Sequence, residues 1–253
     1  MQFLSKYRFL FLFLIIALGL FLRIEYSRHA TIYRDEALFL TLVEDKEHFP
    51  DNLRGTPFQG VPPLIVILGK TGDALFDSPR TFILAAQYVS SVLLILLFYN
   101  ICCLLFDEHV VGLCGALLAS TFYRFVECGG CAMRDGFYIT SVAGVLYFAL
   151  LQRKSASIKR ILSWIGAFSC AAFGTICRRE GIEEFVFLVI FAVVEAIYKR
   201  KLLAIKTAIA GMISYSVFVA ITCWIASAYC NYNWNPARGL FLRADWIYRN
   251  HIQ

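Results

Sequence analysis

The chain has 253 residues, of which 59% are apolar, 16% aromatic and only 17% charged, against roughly 45–50% apolar and about 25% charged in a typical soluble domain. That composition excludes a disordered, collagenous or coiled-coil protein and points to a membrane protein. The formal charge of +6 is carried by short Lys/Arg clusters between apolar runs, the pattern that sets membrane topology. No basic stripe interleaved with aromatics is present, so nucleic acid is not an expected partner.

Lys6 and Arg8 precede an apolar run over 9–22. The run is long for a signal-peptide core, and the stretch 23–28 has no small-x-small cleavage site, so it reads as an uncleaved first span. The following loop, about 23–80, is the least apolar part of the chain and holds nine of its 18 acidic residues. Inside it, Pro62-Pro63 opens an apolar segment over 61–76. Proline suits a first helical turn, whose N–H groups need no intrahelical partner, and the segment predicts a juxtamembrane helix lying in the interface. Further apolar runs lie at roughly 81–106, 110–126, 136–151, 161–177, 181–198 and 203–228. Each is long enough to cross, some with help from flanking residues. The expected fold is therefore an all-α polytopic membrane protein of about seven transmembrane helices. It forms one module over 1–253, with an external tail at about 229–253, no separate soluble domain, no repeats and no Gly/Ser linker.

Basic residues orient it. Lys6, Arg8, Arg153, Lys154, Lys159, Arg160, Lys199, Arg200, Lys201 and Lys206 fall on one side, and Arg124, Arg134, Arg178 and Arg179 on the other. This split predicts a cytoplasmic N-terminus. The 107–109 turn shares the cytoplasmic side in this arrangement, yet holds Asp107, Glu108 and His109 with no Lys or Arg.

Three mixed-sign clusters converge on the external face: Arg34-Asp35-Glu36, Arg134-Asp135 and Arg178-Arg179-Glu180. Any one of them reads equally well as an interfacial anchor whose side chains snorkel to water. Together they precede inward-running helices on the side where arginines are few, and a shared polar site accounts for that. An Asp-Glu pair beside Arg suits a general base, although acidic residues also favour a helix first turn.

On these residues the sequence resembles the GT-C superfamily of polyprenyl-phosphate-sugar-dependent glycosyltransferases, in particular bacterial relatives of dolichyl-phosphate-mannose protein mannosyltransferases. The resemblance lies in order as well as content. A basic tail and first span lead to Asp35-Glu36-Ala37, Pro62-Pro63-Leu64 and a long span ending Leu105-Phe106. Met133-Arg134-Asp135-Gly136-Phe137, Leu151-Gln152-Arg153-Lys154 and Arg179-Glu180-Gly181 follow. It implies hexosyl or pentosyl transfer from a polyprenyl phosphate carrier to an acceptor on the external face, with inversion, in a bacterial inner membrane. The implied catalytic residues are Asp35 as base, its neighbour Glu36, and Asp135 as a second acidic position. For the leaving phosphate the arginine candidates are Arg134, Arg178 and Arg179, with Arg34 and Glu180 alongside, since convergent guanidinium groups neutralise phosphate through bidentate hydrogen bonds. The expected partners are a lipid-linked sugar donor, membrane lipids and an acceptor of unknown identity. No cofactor is required by the motifs, and a divalent metal is left open.

Other signals are weaker. Cys128 and Cys131 have C-x-x-C spacing without the second pair that zinc sites show. A disulfide among Cys128, Cys131, Cys177 and Cys230 is the reading for an oxidising compartment. Glu183, Glu184 and Glu195 lie within or at the edges of the sixth run, and an intramembrane carboxylate is a functional candidate, although Glu195 stands near the cytoplasmic basic cluster and is expected to pair with it. The competing expectation is a non-catalytic membrane protein, either a degenerate or fragmentary relative of the same superfamily or a small transporter. Charges at span ends and the lack of paired repeats speak against the transporter.

Overall fold

A computed structural model describes residues 6–30, 36, 40, 63–155, 157–178, 180–199 and 202–230. The described residues form nine helices: α1 (Arg8–His29), α2 (Pro63–Phe76), α3 (Pro79–Phe106), α4 (His109–Thr121), α5 (Tyr123–Gly130), α6 (Asp135–Lys154), α7 (Ser157–Cys177), α8 (Gly181–Lys199) and α9 (Leu202–Cys230). No strand occurs among them. The protein is an all-α polytopic membrane protein, and the observed boundaries lie close to the apolar runs because run length and flanking charges set them.

Local chemistry explains the turns. Ser78 caps α3 by accepting the Thr81 N–H at 3.4 Å, with Pro79 in the first turn. Asp107 ends the same helix in the left-handed region (φ 55°), its N–H bonded to the Cys103 carbonyl at 2.9 Å. The helices then pack on one another, α3 on α4 and on α6, α6 on α7, and α7 on α9, with α8 against α7. Large apolar side chains such as Phe9, Phe13 and Phe21 of α1 and Trp224 of α9 point outward, the surface that an integral membrane protein gives to lipid.

Among the described residues five helices are long and apolar enough to cross a membrane: α1, α3, α6, α7 and α9. The run expected over 110–126 is broken into α4 and α5, bent by 55°, and this pair is a sixth candidate span. The expected sixth run is a single helix, α8, but its Glu183, Glu184 and Glu195 keep it out of that set. Two of those carboxylates are satisfied inside the protein. Ser141 Oγ of α6 donates to Glu184 at 3.1 Å, and Arg160 Nη2 of α7 donates to Glu195 at 2.6 Å.

The break between α4 and α5 is held by a residue of α1. Arg23 is 0% exposed. Its Nη1 donates to the carbonyls of Gly19 (2.9 Å) and Ser120 (3.1 Å), and its Nη2 to that of Ala119 (3.1 Å). Carbonyls in the last turn of a helix have no intrahelical partner, and a cation there also meets the negative end of the helix dipole. Gly129 of α5 makes room for this, because a Cβ at that position would lie 2.7 Å from Arg23 Nε and 2.4 Å from Ser91 Oγ.

The segment read as an interfacial helix forms α2, beginning at Pro63. One of its faces is covered by protein, Ile65 and Val66 being buried in contact with neighbours on α3, α7 and α9. The described residues include every cysteine, and all nine are free thiols, so the expected disulfide is not formed.

Candidate functional site

The two ends of the bundle are chemically distinct. At one end the turns are stitched by basic residues. Arg8 Nη1 donates to His109 Nε2 at 2.5 Å, which leaves Nδ1 to donate to the Tyr99 hydroxyl at 3.0 Å. Lys154 Nζ meets Asp107 Oδ1 at 2.6 Å. The acidic 107–109 turn thus takes its cations from α1 and the end of α6.

The described sequence-derived site residues lie at the other end. Arg34, Asp35 and Arg179 lie outside the described residues. Glu36 is 2% exposed and accepts from Arg80 Nε at 2.9 Å, an ion pair that joins the first loop to the first turn of α3. Asp135 opens α6, where a carboxylate faces the positive helix end, and its Oδ1 accepts from Arg178 Nη1. Arg178 follows α7 and also donates through Nε to Glu180 Oε2 at 3.3 Å, with its guanidinium 5.6 Å from the Tyr138 ring centre. Burial pulls the Arg178 pKa down, and the Asp135 and Glu180 carboxylates more than restore it, leaving it raised. It is a fixed cation shared between two carboxylates, 31% exposed. Arg134 is half-buried and immediately precedes α6.

Both ion pairs stand over one apolar cluster. Leu40 of the first loop, Ile83 and Leu84 of α3, Ala132 and Phe137 around Asp135, and Ile176 and Cys177 before Arg178 are all buried within it. Every one of these lies within five residues of a charged group just named, so a single packed core fixes the bases of the Glu36, Arg80, Asp135 and Arg178 side chains. The turn before α6 is tied down as well. Gln87 Nε2 of α3 donates to the Met133 carbonyl, and Gly136 is needed there because a Cβ would lie 2.4 Å from Gln87 Oε1.

Sequence reasoning missed Arg80, Gln87 and Arg23. Arg80 carries a readable signal, an arginine at the outer end of a span where the positive-inside pattern expects few. Gln87 and Arg23 carry none, because their partners are backbone carbonyls more than 40 residues away.

Among the described residues, no group of three His, Cys, Asp or Glu is arranged to hold a metal ion. Cys131 is buried, its thiol pushed up to about 12 by burial and then by the Glu36 carboxylate, so it remains a thiol at neutral pH rather than a thiolate ligand or nucleophile.

A family model described as dolichyl-phosphate-mannose-protein mannosyltransferase matches residues 60–224, well over half of the chain. The match takes in Arg80, Asp135, Arg178 and Glu180. No curated protein and no solved structure gives a match.

Proposed function

The chain belongs to the dolichyl-phosphate-mannose-protein mannosyltransferase family of membrane glycosyltransferases that use a lipid-linked sugar, and on that premise we propose that it moves a sugar from a polyprenyl phosphate to an acceptor hydroxyl at the external face, with inversion. The observation that carries this reading is the apolar cluster under both the Glu36–Arg80 and the Asp135–Arg178–Glu180 groups. It supports one shared polar site at a helix end, where a lipid phosphate resides.

In this mechanism the acceptor hydroxyl attacks the anomeric carbon while a carboxylate takes its proton. The bond from that carbon to the phosphate oxygen breaks, and the phosphate leaves with the electron pair. A single direct displacement inverts configuration. The base is Asp35, which precedes the matched residues. Glu36 is committed to Arg80 and seats the first loop, so its role is to position its neighbour. Asp135 and Glu180 aim Arg178, whose charge offsets that of the leaving phosphate, with Arg34, Arg134 and Arg179 as further phosphate contacts. An ion held by two carboxylates is preorganised and needs little rearrangement when the phosphate arrives. The ten-to-four split of basic residues supports an N-terminus in the cytoplasm and the site end outside.

The test is sugar transfer in liposomes from a panel of polyprenyl-phosphate sugars, using the full chain. Transfer that is lost in Arg178→Ala and partly kept in Arg178→Lys fits the proposal. Absence of transfer by the wild type across the panel would overturn it in favour of a non-catalytic relative.

A further inference from the structure

Away from the site, towards the basic end, α7, α8 and α9 line a wholly apolar cavity of about 260 Å³. Phe168 of α7 is its floor; Ala192, Val193 and Ala196 of α8 face Ala208 and Met212 of α9 across it. Alanines on facing membrane helices ordinarily allow the backbones to close on each other. Here an apolar space remains beside their contact, and Val193, which is half exposed, stands on its outer rim. A groove open to the bilayer is not left empty, because its walls would forfeit their dispersion contacts, and the hydrocarbon beside it can supply them. The volume is below that of a typical small-molecule site and suits a segment of one alkyl chain.

The charge around the groove selects the headgroup. Lys206 is exposed at the start of α9, two residues before Ala208, and Lys159 is exposed at the start of α7. Arg160 and Glu195 pair between α7 and α8, so among the described residues Lys159 and Lys206 give the mouth a positive sign. Basic residues beside a groove between membrane helices are the arrangement that holds anionic headgroups.

We propose that the α8–α9 groove is a binding site for an anionic glycerophospholipid, with one acyl chain lying over Phe168 between the alanines and the phosphate beside Lys206. The inference does not depend on catalysis, and the site lies at the opposite end from Arg178.

The test is native mass spectrometry of the full chain in a neutral detergent, with phosphatidylglycerol and phosphatidylcholine of identical acyl chains as probes. Phosphatidylglycerol should be retained preferentially. Lys206→Glu, on an exposed side chain, should lower its retention by at least about fivefold, the worth of one basic residue at an anionic surface, and leave phosphatidylcholine unchanged. Val193→Trp fills the groove from its rim without touching the core and should remove both adducts. Equal retention of the two lipids, phosphatidylglycerol retention unaffected by Val193→Trp, or a lipid-free dimer whose contact Val193→Trp breaks would each overturn the proposal. Displacement of phosphatidylglycerol by equimolar polyprenyl phosphate would overturn it in favour of a tail site for the sugar donor.

Discussion

At the basic end Lys154 and Asp107 pair while 46% and 80% exposed, whereas at the other end Glu36 meets Arg80 while only 2% exposed and Arg178 bridges two half-buried carboxylates. The residue types are the same and the physics differs. Exposed pairs lose little when broken, since water replaces the partner. A buried or shared ion left alone keeps its desolvation cost without compensation. Arg160–Glu195 is the buried exception at the basic end, where it joins α7 to α8. A group of charges gathered over one core is therefore better evidence of a site than any count of ion pairs.

The largest expected effect breaks this contrast at the base. Asp35→Asn should lower transfer by at least about 10²-fold with little change in donor binding, while Asp107→Asn at the basic end should leave transfer intact. Comparable losses in both variants would remove the distinction between the ends. Next comes Arg178→Ala, which should weaken binding of the lipid-linked donor by about 1.5–3 kcal/mol, the worth of hydrogen bonds to a charged group. Equilibrium binding in detergent measures this, with Arg178→Lys expected to be intermediate.

Arg23 sharpens the comparison, because its cation serves backbone rather than carboxylate. Arg23→Met should destabilise the fold by about 1–3 kcal/mol for the helix-end carbonyls left unsatisfied, less the relief from removing a buried charge. Thermal unfolding in detergent reads this, and an unchanged midpoint would mean the α4–α5 break does not depend on Arg23. Smaller still, Lys154→Ala should change stability by no more than about 1 kcal/mol. Last, Cys131 should resist maleimide at pH 7 in the folded protein and react once the protein is denatured. With its pKa raised from 9.0 to about 12, Cys131 keeps a proton that the unfolded chain loses between those values, so stability should fall with rising pH across that window. Rapid labelling of Cys131 in the folded protein would contradict its burial.

Helix positions were legible because they follow from local quantities. The run expected over 81–106 is α3, Pro79–Phe106, and Ser78-Pro79 marks its start in the sequence itself. The gathering of Glu36, Asp135, Arg178 and Glu180 at one end was legible from basic-residue counting plus helix order. Their partners were not. Arg80 for Glu36 and Arg178 for Asp135 are pairings across more than 40 residues, and each charged group had other partners of the right sign.

Composition, run length and flanking charge determined by themselves that this is a helical membrane protein, where most of its helices lie and at which end the acidic residues collect. These are sums over neighbouring residues, and the bilayer acts on them almost independently of fold. Tertiary structure alone decided that the third run breaks at Phe122, that Arg23 is buried, that α2 packs one face on protein, and that an apolar cavity lies between α8 and α9 beside Phe168. Each depends on which helix faces which, and a carbonyl freed in one helix finds its donor only when another is packed beside it.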